Sequence, residues 1–235
     1  MKSIIGGLIM EKNTDEQLDV LDEFGKQTGA SVSRTKAHSK GILHGASHVY
    51  IYRKNANDGI DILLQRRSPN KDSFPNCLDI SSAGHMTGGM NFEETAIREL
   101  KEELGIDVDA SELEYAFTQR ISKESMFRGE KFIDNEINKI YMLNKDLDIS
   151  SLELQEEEVP EVIWMDGEEI SKRLEAGDTE LCLNEKEYNG VLAMIKRSLQ
   201  NNTKNGLSYL KVKISSPPSI PDTHSVEHDS EISRE

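Results

Sequence analysis

The chain has only two cysteines, Cys77 and Cys182, among its 235 residues. Two cysteines are too few for the disulfide framework that holds small secreted proteins together, so we expect a reducing compartment and predict a cytoplasmic protein. The sequence also lacks an apolar run of the roughly 18 residues that a membrane-spanning helix requires. No transmembrane segment is therefore predicted.

Positive charge is scarce as well, because 28 Lys and Arg residues stand against 43 Asp and Glu, for a net charge of -15. Such a surface repels the phosphates of a nucleic acid, so we do not expect a polynucleotide partner. A small anionic substrate is compatible with this charge if metal ions and a few local cations neutralise it. The 36% of hydrophobic residues is typical of a globular enzyme with a full core.

Turn signals and periodic apolar residues predict one α/β domain over residues 46–200. The first 45 residues are predicted to pack on it as an extension, with short strands in residues 15–30 and a polar connector in residues 33–45. The domain is predicted to contain strands near residues 49–51, 60–64, 79–83, 113–121, 132–143 and 162–165, and helices at 92–104, 167–175 and 184–199. Residues 201–235 are polar and contain Pro217-Pro218, which indicates a disordered tail, although alternating apolar residues at 210, 212 and 214 leave a strand open.

The predicted helix at residues 92–104 is the most informative segment of the chain. At about 100° per residue, one stripe carries three carboxylates, and another stripe, roughly 140° away, carries three apolar side chains. These residues are Glu99, Glu102 and Glu103 on the first stripe and Ile97, Leu100 and Leu104 on the second. The helix is predicted to end at Gly105.

This acidic stripe has two interpretations. Clustered carboxylates repel each other unless a cation lies among them, and hard cations such as Mg²⁺ prefer oxygen ligands. The alternative is a solvated acidic face, which is common in acidic proteins. The helix alone does not decide between them, but the segment that precedes it does.

A glycine-rich loop begins at Gly84 and leads directly into the helix. The combined segment resembles the Nudix box, which consists of Gly, five residues, Glu, seven residues, and then Arg-Glu-apolar-x-Glu-Glu-x-Gly-apolar. Eight positions agree in identity and spacing, namely Gly84, Arg98, Glu99, Leu100, Glu102, Glu103, Gly105 and Ile106. The box Glu that usually pairs with the Arg is replaced by Met90, which leaves Glu93 or Glu94 as a predicted partner for Arg98.

The resemblance to the Nudix hydrolase superfamily implies a mixed β-sheet sandwiched between helices. It also implies metal-dependent hydrolysis of a nucleoside diphosphate linked to another group, with Mg²⁺ or Mn²⁺ held by Glu99, Glu102 and Glu103. In this interpretation Arg98 orients the carboxylates, and Glu102 and Glu103 also belong to the catalytic set.

Further segments are similar to the branch of the superfamily that contains isopentenyl-diphosphate isomerase. They are Leu64-Gln65-Arg66-Arg67, Phe74-Pro75, residues 78–85 and Asn135-Glu136. The isomerase requires a Cys before its Gly-His pair and a Tyr before an Arg on a later strand. This chain has Ala83 and Gln119 at those positions, and neither replaces the missing acid. A hydrolase is therefore favoured over an isomerase.

Other residues are predicted to complete the site. Arg66, Arg67 and Lys71 are candidate phosphate contacts, although strand alternation sends the two arginines to opposite faces, and surface charge is the alternative. Gly84 and His85 are candidate substrate contacts, and for His85 the alternatives are ordering of the loop and ligation of a metal, because the isomerase binds a metal through a histidine of its Gly-His pair. Glu136, which shares a strand face with Asp134, is a candidate metal ligand or general base, against the alternative of a solvent-facing carboxylate.

The remaining polar residues receive structural interpretations. The residues His38, His44 and His48 have no zinc-binding spacing, and His48 is predicted to pack in a strand. The acidic run Glu156 to Glu158 is predicted to be a solvated turn, and Trp164 is predicted to pack near a sheet edge. The alternatives to a hydrolase are an isomerase-like enzyme and a binding module without turnover. A small-molecule diphosphate is the expected partner, a membrane is not, and a homodimer is compatible with the sequence.

Overall fold

The computed structural model describes residues 15–71, 73–127 and 129–214. The described chain forms strands β1 (Gln17–Leu21), β2 (Gln27–Ser33), β3 (His44–Lys54), β4 (Ile60–Arg66), β5 (Leu78–Asp79), β6 (Ser82–His85), β7 (Leu113–Phe127), β8 (Glu130–Asn144) and β9 (Glu161–Asp166). Its helices are α1 (Arg34–Lys40), α2 (Phe92–Leu104), α3 (Gly167–Glu175) and α4 (Glu185–Ile214). The residues up to Ile195 form one compact unit, and Lys196 begins a second.

Strand β3 is the centre of a mixed β-sheet. It pairs in parallel with β8 and antiparallel with β4 and β6, while β7 pairs with β8 and β9 pairs with β4. The main core lies between this sheet and α2, where Val49, Ile51 and Leu63 pack with Ala96 and Leu100. The fold class predicted from the sequence, a mixed sheet with helices on it, is confirmed.

Capping interactions of neighbouring residues define both ends of helix α2. Asn91 caps its first turn by accepting from the backbone N–H groups of Glu93 and Glu94, and Glu94 reaches back to the N–H of Asn91. Gly105 adopts a left-handed φ of 69° and closes the last turn. The bounds predicted from the sequence, residues 92–104, are confirmed.

Three predictions about secondary structure are wrong. The segment expected to be a connector contains α1, capped by Ser33 and Gly41. The strands around residues 113–121 and 132–143 extend into a long hairpin, β7 and β8, where a polar loop was expected. Helix α4 continues to Ile214, so residues 201–214 form neither a tail nor a strand.

Some predictions concern residues outside the described chain. Residues 1–14 of the N-terminal extension and residues 215–235 of the tail lie outside the described ranges. Among the described residues, no helix combines the length and the hydropathy that crossing a bilayer demands.

Candidate active site

Two of the three carboxylates of the acidic stripe on α2 face strand β6. The residues Glu99 and Glu103 are only 9% and 4% exposed. Gly84 lies so close to Glu99 that a Cβ atom at position 84 would overlap its carboxylate. Ser82 Oγ donates a hydrogen bond of 2.6 Å to Glu103 Oε2, and the Ala83 N–H donates to the same oxygen at 3.3 Å. Glycine at position 84 is therefore a requirement of this close approach.

The environment opposes the ionisation of both carboxylates. Burial raises the pKa of Glu99 to about 7, although the nearby charge of Arg98 acts in the opposite direction. Burial and the charge of Glu99 raise the pKa of Glu103 to about 8. Two buried acids whose charges repel each other favour a cation nearby, because a cation offsets both the lost hydration and the mutual repulsion.

The donor set fits a divalent cation such as Mg²⁺. All three side chains offer carboxylate oxygens, which hard cations prefer. The side chains of Glu99 and Glu103 are inside the fold, whereas that of Glu102 is 55% exposed and lies at the rim. The glycine at position 84 leaves the Glu99 carboxylate free of steric obstruction from β6.

Arg98 connects this acidic stripe to β6. Its Nη2 lies 2.6 Å from Glu99 Oε1 and donates to the backbone oxygen of His85 at 3.1 Å, while its Nη1 donates to Glu102 Oε2 at 2.8 Å. The prediction that Glu93 or Glu94 pairs with Arg98 is wrong, because Arg98 pairs with the stripe itself. Arg98 thus fixes the orientation of two of the carboxylates.

The three predicted phosphate contacts are each held by an acidic partner. Arg66 Nε bonds Glu161 at 2.5 Å, Arg67 Nη1 bonds Asp79 at 2.9 Å, and Lys71 Nζ bonds Glu158 at 2.8 Å. Arg67 also donates to the backbone oxygen of Ser73, so it holds the loop that follows β4. The charge of Lys71 reaches the carboxylate of Glu103. Its partner Glu158 acts on the pKa of Glu103 in the opposite direction.

A second group of candidate ligands contains three histidines and one carboxylate. One ligand atom from each of His38, His44, His85 and Glu136 lies within 4.8 Å of those of the others. His44 Nε2 and His85 Nε2 lie within hydrogen-bond distance of Glu136 Oε1, at 3.2 and 3.3 Å. Imidazole nitrogens with a carboxylate suit a transition metal such as Zn²⁺ better than Mg²⁺.

The rings of this histidine cluster are oriented by the backbone. The Nδ1–H groups of His38 and His44 donate to the carbonyls of Arg34 and Ile42, which directs their Nε2 atoms into the cluster. Burial lowers the pKa of His38 to about 4. Although burial raises the pKa of Glu136, hydrogen bonds from His44 and His85 outweigh it and hold that pKa well below its usual range.

Sequence reasoning missed this cluster. It assigned His38 and His44 no shared role, because their spacing fits no zinc motif. The parallel pairing of β3 with β8 places His44 beside Glu136, and helix α1 adds His38. His85, a predicted substrate contact, lies between Glu136 and Glu16, with its Nδ1 3.3 Å from Glu16 Oε2.

Two further residues occupy structural positions. His48 donates to Glu187 Oε1 at 2.8 Å, and this ion pair raises the pKa of His48 to about 9 despite the opposing effect of burial. Trp164 lies under the guanidinium of Arg53, whose Cζ is 4.3 Å from the ring centroid.

Comparisons with known proteins agree with this geometry. The family model of the NUDIX domain matches residues 43–183. The protein named Nudix hydrolase 3 from Arabidopsis thaliana is 36% identical over 196 residues, which cover 81% of this chain and 24% of that protein. This chain thus corresponds to about a quarter of the length of that plant relative. An uncharacterised Nudix hydrolase of Clostridium acetobutylicum is 36% identical over 161 residues, covering 68% of this chain and 75% of the relative.

The fold itself has a counterpart among solved structures. A crystal structure from Deinococcus radiodurans superposes with a TM-score of 0.54 and 22% identity, covering 69% of this chain and 90% of that chain. The family model, the relatives and the glutamate helix against β6 lead to one conclusion. The chain belongs to the Nudix hydrolase family.

Proposed function

We propose that this chain is a Mg²⁺-dependent hydrolase that cleaves the diphosphate linkage of a nucleoside diphosphate-type substrate. The observation that carries the proposal is the burial of Glu99 and Glu103 side by side against β6. Such a pair is unfavourable in the protein alone and becomes favourable around a divalent cation.

The glutamates and the arginine of α2 have different roles in the proposed reaction. Glu99, Glu102 and Glu103 hold the cation, which supplies charge neutralisation for the diphosphate oxygens. Arg98 keeps Glu99 and Glu102 in position through its two ion pairs. Lys71, which pairs with Glu158 and whose charge acts on Glu103, is a candidate phosphate contact.

The chemical step is the attack of water on a phosphorus atom of the diphosphate. The new bond joins the water oxygen to phosphorus, the bridging P–O bond breaks, and the leaving phosphate takes the bond electrons. Glu103, a carboxylate of the acidic stripe, accepts the proton of the attacking water. Glu136 lies in the histidine cluster, which favours the role of metal ligand over that of base.

An isomerase-like reaction requires acidic side chains that can protonate a carbon atom of the substrate. Ala83 has no acidic proton. Gln119 pairs with Asn138 on the adjacent strand, and both of these side chains are amides that do not ionise. A weak acid such as an amide cannot protonate a double bond. These positions support a hydrolase that resembles the isomerase branch in sequence and differs from it in chemistry.

The test is product release from nucleoside diphosphate compounds and from isopentenyl diphosphate, with and without Mg²⁺. Glu103→Gln is expected to lower kcat by roughly 100-fold or more, because it removes a charge and a proton acceptor. Glu93→Gln is the matched control, because Glu93 is an exposed residue of the same helix, and it is expected to keep full activity.

Three outcomes contradict the proposal. Double-bond migration without release of a phosphate product indicates an isomerase. Binding without turnover across the whole panel indicates a binding module. Equal activity of Glu103→Gln and the wild type shows that the acidic stripe does not carry the reaction.

A further inference from the structure

Strand β7 forms one edge of the sheet and is unusually long. It contains 15 residues, whereas strands of globular proteins typically contain about 5 or 6. Among the described strands it pairs with β8 alone, and no backbone hydrogen bond joins it to any other described element. The N–H and C=O groups on its outer edge are therefore available to a further strand.

The usual protections of an exposed edge strand are weak in β7. Natural edge strands avoid pairing with other chains by short length, proline, bulges or charge. β7 contains no proline, and its register shift against β8 lies near one end, between Tyr115 and Phe117. From Phe117 onward the strand pairs with β8 in one continuous register. This regular stretch is suited to pairing with another strand along its open side.

The charge of this stretch differs from that of the whole chain. The net charge of -15 opposes the close approach of two copies. Residues 118–126, however, contain two basic side chains, Arg120 and Lys123, and one acidic side chain, Glu124. All three are exposed, and neither basic residue has an ion-pair partner within the described ranges. This segment is therefore a part of the surface where a second acidic copy is not repelled.

The symmetry of a dimer restricts how two such edges can pair. Two identical strands pair antiparallel about a twofold axis perpendicular to the sheet, so residues opposite each other belong to the same face. The axis must then pass through one residue of the strand. An axis at Arg120, Lys123 or Glu124 places that charged side chain opposite its own copy, which is unfavourable.

An axis at Ser122 brings opposite charges together. Arg120 of each copy then lies opposite Glu124 of the other copy, which gives two favourable pairs. Within each copy Glu124 already pairs with Lys131 at 2.9 Å, so each new pair joins an existing one. An axis at residue 119 or 121 brings no opposite charges together. The charges of β7 therefore favour the register centred on Ser122.

The same register covers two exposed apolar side chains. Met126 is 67% exposed and Tyr115 is 52% exposed, near opposite ends of β7. The axis at Ser122 places Met126 opposite Thr118 of the other copy, and Thr118 Oγ1 lies 2.9 Å from the Tyr115 hydroxyl. Met126 of one copy thus lies next to Tyr115 of the other. Their contact removes apolar surface from water and places sulfur beside an aromatic ring.

We propose that two copies of this chain form a dimer by pairing their β7 edges antiparallel about Ser122. The sheets of the two copies then continue into each other, and every outer backbone group of the paired stretch gains a partner. Because the twofold axis is perpendicular to the sheet, both α2 helices lie on the same side of the combined sheet. The inference does not depend on the proposed function.

Analytical ultracentrifugation of the full chain tests the dimer. The wild type is expected to reach twice the chain mass of 26.5 kDa. Arg120→Glu and Glu124→Arg each place like charges opposite each other at both pairs, so each variant is expected to weaken its own dimer about 10-fold or more. Mixing these two variants in equal amounts restores both favourable pairs, and the mixture is expected to form a heterodimer nearly as stable as the wild-type dimer.

Lys54→Glu is the matched control. It makes the same reversal of charge at the exposed end of β3, and the dimer is expected to keep its wild-type affinity. A wild type that stays monomeric at the highest soluble concentration overturns the inference. A dimer that Arg120→Glu and Glu124→Arg leave intact also overturns it, because the two copies then meet elsewhere.

A second measurement does not depend on a variant. Backbone amide hydrogen exchange in residues 118–126 of the wild type is expected to slow as the protein concentration rises through the Kd of the dimer. Exchange that is slow at every concentration means that another part of this chain covers the edge, and it overturns the inference. Exchange that stays fast in the dimer excludes β7 from the contact and has the same consequence.

Discussion

Gly84 in β6 packs directly against the carboxylate of Glu99 in α2, and no side chain fits between them. We expect Gly84→Ala to displace Glu99 from its position beside Glu103 and to lower kcat roughly 100-fold, because small misplacements of catalytic groups have effects of this size. Steady-state kinetics at saturating Mg²⁺, together with circular dichroism to verify the fold, measures the effect.

The matched control is Gly177→Ala. Gly177 has a left-handed φ of 70° and open space around it, so a methyl group strains the backbone without meeting a neighbour. This variant is expected to lose about 1 kcal/mol of stability and to keep its activity. If both variants keep full activity, the close approach at Gly84 has no catalytic importance.

We expect the Glu103 side chain to destabilise the metal-free protein and to stabilise the protein when Mg²⁺ is bound. Burial and the charge of Glu99 oppose its ionisation, so Glu103→Gln is expected to leave the metal-free protein as stable as the wild type or more stable at pH 8.5 and above. Mg²⁺ at 100 times its Kd should stabilise the wild type by about 2.7 kcal/mol and the variant by much less. Thermal unfolding with and without Mg²⁺ measures both effects, and equal stabilisation of both proteins contradicts the ligand assignment.

The His48–Glu187 ion pair predicts a loss of stability at alkaline pH. The pKa of His48 is about 9 in the folded protein against 6.5 for a free side chain, because Glu187, and more weakly Glu136 and Asp79, outweigh the effect of burial. A raised pKa gives a contribution that is complete below about pH 6.5 and disappears as the pH rises through about 9. The shift corresponds to about 3 kcal/mol as an upper bound.

Urea unfolding at several pH values between 6 and 10 tests this prediction in the wild type and in His48→Gln. The wild type should become less stable across the interval, and the variant should show a smaller slope. Part of the slope will remain, because the pKa of His85 is also raised to about 9, against the effect of burial, by Glu136 and Glu16. Identical slopes in the two proteins would show that the ion pair does not contribute.

The histidine cluster is expected to bind a transition metal separately from the Mg²⁺ site. Titration with Co²⁺ should give visible absorption typical of nitrogen and oxygen coordination, and His44→Gln should remove it, because His44 is fully buried and directs its Nε2 to Glu136. Glu103→Gln, on the other face of the sheet, should leave the absorption unchanged. Loss of the signal in Glu103→Gln instead would place the Co²⁺ at the acidic stripe.

The features that the sequence predicts correctly are those with local signals. Helix α2 has a capping Asn91, an apolar stripe and a terminal Gly105, so its bounds follow from neighbouring residues alone. Helix α1 has caps too, Ser33 and Gly41, but the seven residues between them lack an apolar stripe. Its formation depends on tertiary contacts, and one sequence does not display these.

The difference between local signals and tertiary contacts also explains which parts of the hairpin and of the candidate site the sequence predicts. The polar ends of β7 and β8 have the composition of a loop, and their strand structure comes from backbone pairing with side-chain pairs such as Lys131–Glu124. The acidic stripe lies within one helix and is readable from spacing. The histidine cluster joins His44 to Glu136 across 92 residues, through a parallel strand pairing that no local pattern specifies.

The alternation of side chains along β6 separates two groups of contacts. Ser82 and Gly84 contact the carboxylates of Glu103 and Glu99, whereas the side chains of Ala83 and His85 face the opposite side of the sheet. A substitution of the side chain at position 83 therefore changes the face of the sheet that carries the histidine cluster and leaves the contacts of Glu99 with Gly84 and of Glu103 with Ser82 in place.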